Sequence, residues 1–263
     1  MKRTGLRSAL TAVLTAVVAD AVAETKAYWP LTEGAGASVT ETVSGRQSFL
    51  GSAAGPDDRD PAWIDGRLCF DGANDCVQVG SGEDFCLREQ GTLAAWVKPA
   101  PDWDGEGAVL IKPSNWYFVL GHQNRPTLIY YFTDVFSGMR TLTYLRAERV
   151  VPAGTWSHVA ISFGSRGARF YVNGMPAGVL LFEDEVLVAT PRPVRIGCEG
   201  ENGRPFAGML AAVTVIDQAW KPDTIVAHMR RTDPRTRSEQ NETPAATTTS
   251  PASPPANASG ILW

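Results

Sequence analysis

Hydrophobic and polar residues alternate most regularly between Thr155 and Gly174. Val159, Ile161 and Phe163 occupy every second position, with Ala160 and Ser162 between them. A period of two places one set of side chains on each face of a strand. The chain then turns through Gly164-Ser165-Arg166-Gly167, and Phe170 and Val172 resume the pattern. Asn173-Gly174 follows, a pair suited to the two positive φ values of a type I′ turn. The stretch predicts two strands joined by a glycine turn, a second tight turn after them, and one apolar face.

Shorter stretches repeat this rhythm along the chain. Apolar runs at 108–112, 116–120, 127–132, 141–145, 158–163, 168–172, 177–182, 193–197 and 208–216 are punctuated by turn residues. Upstream, residues 27–33 suit a first edge strand, because Pro30 cannot donate to a central ladder. Residues 51–62 are rich in Gly, Ala and Asp and predict a loop. Residues 63–79 predict strand, polar turn, strand. In 91–99, Leu93, Ala95 and Val97 face one way and Thr92, Ala94 and Trp96 the other. A 3.6-residue period is nearly absent, so the prediction is an all-β fold of two packed antiparallel sheets. Each Val, Ile, Leu or Phe buried between them contributes about 1.5–3 kcal/mol. One short helix is predicted over 221–230, with Pro222 in its first turn and Ile225, Val226 and Met229 on one face.

The ends differ from this pattern. Lys2, Arg3 and Arg7 precede a short apolar run from Leu10 to Ala19, and Ala21-Val22-Ala23 fits a small-x-small cleavage site. Residues 1–23 therefore predict a signal peptide, the run being about half the ~20 residues that a membrane span needs. No other stretch is long and apolar enough to span a bilayer by helix, so no transmembrane segment is expected after cleavage. Residues 24–232 form the predicted domain. Residues 233–263 are rich in Thr, Pro, Ser and Ala, carry sequons at Asn241 and Asn257, and predict a disordered tail. The chain has 24 basic and 28 acidic residues and no basic run, which argues against nucleic acid as a partner. Four cysteines, Cys69, Cys76, Cys86 and Cys198, suit disulfides in an exported protein, with three pairings open. A Cys69–Cys76 bridge fits the strand alternation around them. Zinc is disfavoured, because no C-x-x-C pair occurs and the three histidines are scattered. The expected location is extracellular, at the cell surface or periplasmic.

Several of these stretches carry a resemblance. "TWSHVAISF…RFYVNG" at 155–174 resembles the W-x-H-V-A…Y-V-N-G signature of laminin-G-like, concanavalin-A-like domains. "YWPLTEGAG" at 28–36, "FDGANDCVQV" at 70–79 and "GTLAAWVKP" at 91–99 are similar to further stretches of that family. The resemblance covers about residues 27–230 and implies a two-sheet antiparallel jelly-roll sandwich. It implies a recognition fold whose members bind glycans, proteins or sulfated polymers, often with calcium, and which includes a few glycoside hydrolases.

Candidate chemistry is sparse. The E-x-D-x-x-E strand of related glucanases is absent, and no G-x-S-x-G elbow occurs, so no catalytic residue is expected. Glu183-Asp184-Glu185 reads as a solvated turn, and His158 as a structural histidine. Asp71, Asn74 and Asp75 offer three side-chain oxygens in one turn, a candidate calcium site. The resemblance also implies an acidic pair on the last strand, in a G-x-I-D-E-V motif. Ala211 and Ala212 stand there instead, so calcium is a candidate and not a requirement. Glu199, Glu201 and Asn202 are compensating donors from a loop. Sugar sites use aromatic platforms, and the candidates are Trp103 and Trp116 on loops and Trp96 and Trp156 on a sheet face, the latter two expected beneath covering loops. The resulting expectation is a secreted, non-catalytic recognition domain for a glycan or extracellular protein. The alternatives are a glycoside hydrolase or lyase of the same fold, and a structural or adhesion protein with a spacer tail.

Overall fold

The computed structural model describes residues 25–80, 83–103, 105–133, 139–181, 186–200 and 203–236. The predicted signal peptide, the tail beyond Thr236, Glu183-Asp184-Glu185, Glu201 and Asn202 lie outside them. In chain order the strands are β1 (Thr25–Trp29), β2 (Ser38–Thr40), β3 (Gln47–Phe49), β4 (Ala62–Ile64), β5 (Arg67–Asp71), β6 (Val77–Val79), β7 (Gly91–Pro99) and β8 (Gly107–Lys112). They continue as β9 (Trp116–Gly121), β10 (Arg125–Thr133), β11 (Arg140–Arg146), β12 (Ser157–Gly164), β13 (Gly167–Val172), β14 (Met175–Leu180), β15 (Val194–Ile196) and β16 (Ala207–Ile216). One helix follows, α1 (Pro222–Arg231), with Pro222 in its first turn.

Two antiparallel sheets make the sandwich. The first runs β14-β13-β12-β7-β16-β5-β4, with β1 also paired to β16. The second runs β11-β10-β9-β8-β15-β6, and β2 and β3 form a small separate ladder. The alternation read from the sequence sets the core. Leu93, Ala95, Val97, Val159, Ile161, Phe163, Phe170 and Val172 from the first sheet meet Phe118, Leu120, Leu128 and Tyr130 from the second. The jelly-roll expectation holds, including the short C-terminal helix.

The hairpin β12–β13 closes in the predicted register, with Val159 opposite Val172 and Ile161 opposite Phe170. Asn173 and Gly174 have φ of 53° and 74°, the positive pair that a type I′ turn needs. A side chain on Gly174 would also press on Val226 of α1, 3.0 Å from where its Cβ would sit. The turn is thus fixed by backbone geometry and by the helix beneath it.

The stretch 63–79 departs from its reading as a simple hairpin. β4 and β5 do pair, through a turn at Asp65-Gly66, but β5 belongs to the first sheet and β6 to the second. Residues 72–76 carry the chain from one sheet to the other, so Cys69 and Cys76 are not cross-strand neighbours. The expected Cys69–Cys76 bridge is corrected: Cys76 pairs with Cys198, beyond β15, the strand that pairs with β6. Their Cα atoms are 5.3 Å apart, within the range that a disulfide spans. Cys69 and Cys86 are free thiols.

Helix α1 lies on the outer face of the first sheet. Ile225 packs on Ala94, Ala160 and Tyr171. Of the predicted face, Val226 and Met229 are only half-buried, and the second fully buried residue is His228. The chain then continues over the sheet: the Arg67 guanidinium donates to the Pro234 carbonyl at 2.7 Å, and Arg235 stacks over Trp96 at 5.0 Å. Ordered packing therefore extends four residues past the boundary expected at 232.

Candidate functional site

The outer face of the first sheet is roofed. Trp96 is 1% exposed, flanked by Ala211 and Ala212, with Tyr28, Trp156 and Met229 packed around them. Its indole N–H donates to the Thr232 hydroxyl at 3.1 Å. His158 meets it edge-on at 5.5 Å. This is the second small core expected for Trp96 and Trp156, so Trp96 is not a platform and Trp156 is half-buried at its margin.

Beneath this roof lies a pair of buried histidines. The Thr214 hydroxyl donates to the Ala212 carbonyl at 2.9 Å, which leaves its oxygen to accept from His228 Nε2–H at 3.2 Å. His228 Nδ1 is then a bare acceptor and takes the His158 Nε2–H at 3.1 Å. His158 Nδ1, also bare, is buried without a partner among the described residues. Burial first, and then the neighbouring imidazole, lowers the His158 pKa to about 3. Burial and Arg231 lower that of His228 to about 4. Both are neutral structural groups, as expected for His158, and His228 is the partner that the sequence did not reveal.

The other candidates fall apart spatially. Trp116 is 0% exposed, faces the main core and donates to the Phe85 carbonyl, so its reading as a loop platform is corrected. It is the first residue of β9, and its parity with Phe118 and Leu120 turns it inward. Trp103 is half-buried against Phe206, ring centroids 5.5 Å apart. In the acidic turn, Asp71 Oδ1 accepts the Ala73 amide at 2.7 Å and Asp75 Oδ2 accepts the Asp71 amide at 2.7 Å. Burial, together with the charges of Asp71 and Asp60, pushes the Asp75 carboxyl up to about 6 although that amide opposes the rise. These oxygens cap the sheet-switching turn. Among the described residues no group of three His, Cys, Asp or Glu could hold a metal ion. Glu199 is tied to Arg204 at 2.6 Å.

The second sheet presents a different outer face. Antiparallel partners share a face, so register assembles it: Tyr117 opposes Ile129, which opposes Tyr144, and Tyr131 opposes Leu142. Tyr117 also opposes Ile111, and Ile111 opposes Arg195. Ala108, Ile111, Val119 and Ile129 form a buried cluster with Tyr117, itself 5% exposed, and half-buried Tyr131 packs against it. The two rings lie 5.9 Å apart, with Arg204 over Tyr117 and Arg140 over Tyr131, each at 5.9 Å. Tyr144 is 53% exposed. The Tyr117 hydroxyl accepts the Ser114 amide at 3.3 Å, and burial pushes its pKa up to about 12, so it stays a neutral hydrogen-bonding group. Arg204 also bridges Glu199 and Glu106, which holds its guanidinium in place. This combination of flat rings, hydroxyls and planar cations can stack on a ring and bond its substituents.

Sequence reasoning missed this face because it searched for tryptophan. The signal was present as alternation in β11, where Arg140, Leu142, Tyr144 and Arg146 occupy every second position.

The geometry accords with three comparisons. The family model for the concanavalin A-like lectin/glucanases superfamily matches residues 71–226. The chain belongs to that superfamily. A curated relative, adhesion G-protein coupled receptor V1 of Danio rerio, is 28% identical over 131 residues, covering 46% of this chain and 2% of the receptor. The chain thus spans a small fraction of that relative's length. Domain 4 of AbnA, a GH43 extracellular arabinanase from Geobacillus stearothermophilus solved with arabinotriose, superposes with a TM-score of 0.55 at 14% identity, over 78% of this chain and 98% of that one. The botulinum neurotoxin serotype D ligand binding domain, solved with N-acetylneuraminic acid, gives 0.56 at 14% identity, over 79% and 50%. At these identities the structures share the fold.

Proposed function

We propose that the chain is an exported, non-catalytic recognition domain that binds a carbohydrate on the outer face of its second sheet. The observation that carries this is the row of Tyr117, Tyr131 and Tyr144 on one face, with Arg140 and Arg204 stacked on two of the rings. Sugar binding needs flat apolar surface beside hydrogen-bonding groups, and half-buried Tyr131 and exposed Tyr144 supply both, backed by buried Tyr117. The two solved domains described with arabinotriose and N-acetylneuraminic acid support a saccharide ligand. Glu106 and Glu199, the acids bordering the tyrosines, are engaged by one arginine, which suits positioning better than acid–base chemistry. Among the described residues no helix is long and apolar enough to cross a membrane. The cleavable N-terminus read from the sequence and the Cys76–Cys198 disulfide support export.

A protein ligand is the second reading, favoured by Met139, Leu142 and Tyr144, which are exposed together at the β11 edge. A glycan array probed with the full chain and with Tyr131→Ala/Tyr144→Ala separates the two. Retention of specific glycans by the parent and their loss in the variant is the expected result. Equal glycan binding by both chains overturns the assignment of the face.

A further inference from the structure

We infer that the cleft between β1 and the C-terminal end of α1 is a second binding site, one that takes a carboxylated sugar. It lies on the first sheet and does not rest on the reading of the tyrosine face. Two adjoining cavities, of about 230 and 330 Å³, share Tyr28, Arg231 and Thr232 as common walls. Together they fall in the range of roughly 300–1,000 Å³ usual for small-molecule sites. Ala211 and Ala212 line the smaller cavity. A bulge in β16, with Ala212 at a φ of 50°, turns both methyl groups to this side, and their size leaves the space open.

The walls suit an anionic sugar on three counts. Arg67 and Arg231 both line the smaller cavity, and its one carboxylate, Asp233, is spent on Arg235 through contacts of 2.6 and 2.8 Å. The cleft is therefore cationic in a chain whose formal net charge is −4. Arg231 is exposed and forms no ion pair among the described residues. Threonines ring both cavities at Thr25, Thr32, Thr42 and Thr236, and the Thr42 and Thr236 hydroxyls, donating to the Tyr28 and Asp233 carbonyls, leave their oxygens to accept from sugar hydroxyls. Tyr28 adds a ring between the two compartments, as a saccharide of more than one unit would use. The frame is set in advance, since Arg67 is held by the Pro234 carbonyl and Thr232 by the Trp96 indole.

Calorimetric titration of the full chain with trigalacturonic acid, maltotriose and citrate tests this. Trigalacturonic acid binds at least tenfold tighter than maltotriose or citrate. Arg231→Glu lowers its affinity at least tenfold, Arg231→Lys retains most of it, and Tyr131→Ala/Tyr144→Ala leaves it unchanged. Thermal melts of both Arg231 variants show that the helix end still folds. Equal binding of maltotriose, equal binding of citrate, or indifference to Arg231→Glu each overturns the assignment, the second by revealing a simple anion site. Loss of trigalacturonate binding in the tyrosine variant alone overturns it by moving the ligand to the other sheet.

Discussion

The two outer faces of the sandwich both carry aromatic rings, and they meet opposite fates. On the first sheet the residues beside the rings are small: Ala94, Ala160, Ala211 and Ala212. A helix can settle close to such a floor, and α1 does, with Ile225 and His228 pressed into it. On the second sheet Ile111, Val119 and Ile129 form a buried cluster with Tyr117, Tyr131 is half-buried against it, and Tyr144 is exposed. Small residues beside a ring leave room for a helix to roof it, whereas on the second sheet a graded series runs from buried Tyr117 to exposed Tyr144. Aromatic content alone does not mark a binding face; the size of its neighbours decides.

Substitutions on the roofed face should therefore cost stability, and those on the open face should cost binding. The largest effect is expected from Trp96→Ala, at about 3–5 kcal/mol in urea unfolding, as for other buried large-to-small changes. Glycan binding by the folded fraction should persist, and loss of binding without loss of stability would reverse the roles of the faces.

The histidine pair gives the roof a pH dependence. Unfolded histidines titrate near 6.5 and these two titrate at about 3 and about 4, so below 6.5 the unfolded chain takes up protons that the folded chain does not. Stability is full above pH 6.5 and falls as pH drops, by about 2 kcal/mol per histidine at pH 5. Asp75 acts with the opposite sign, since its raised carboxyl protonates first in the folded state. His158→Gln/His228→Gln should flatten the decline in unfolding midpoint between pH 6.5 and 4.5, while Asp75→Asn should steepen it. An unchanged slope in the histidine variant would show that the pair is not buried in its neutral form.

Gly174→Val should cost about 2 kcal/mol, combining a positive φ with pressure on Val226. An unchanged melting temperature would refute the turn assignment. The smallest expected effect belongs to the open face: Tyr144→Ala should weaken glycan binding about tenfold, or 1.4 kcal/mol. Its melting temperature should stay within a few degrees of the parent.

The fold was legible wherever a local period sufficed. Val159, Ile161 and Phe163 announced their strand, and Asn173-Gly174 announced its turn. What escaped depends on where distant segments meet. Cys69 and Cys76 looked like neighbours because nothing local says that residues 72–76 change sheets. His228 looked polar on a helix, and only the arrival of His158 and Thr214 makes it a buried residue. Trp116 looked like a loop residue because the strand boundary one position away sets its direction. The tyrosine face exists only once β9, β10 and β11 are in register, although each strand shows half of it.

The disulfide has a mechanical consequence. Cys76 and Cys198 are 122 residues apart, and the segment between them contains β6 to β15. A chain pulled from its two ends cannot draw out that loop while the bond holds, which withholds roughly 400 Å of contour length at about 3.3–3.6 Å per residue. Under tension the oxidised molecule should yield only β1 to β5 and β16 onward, whereas β9, β10 and β11, which carry the tyrosines, remain shielded from the load.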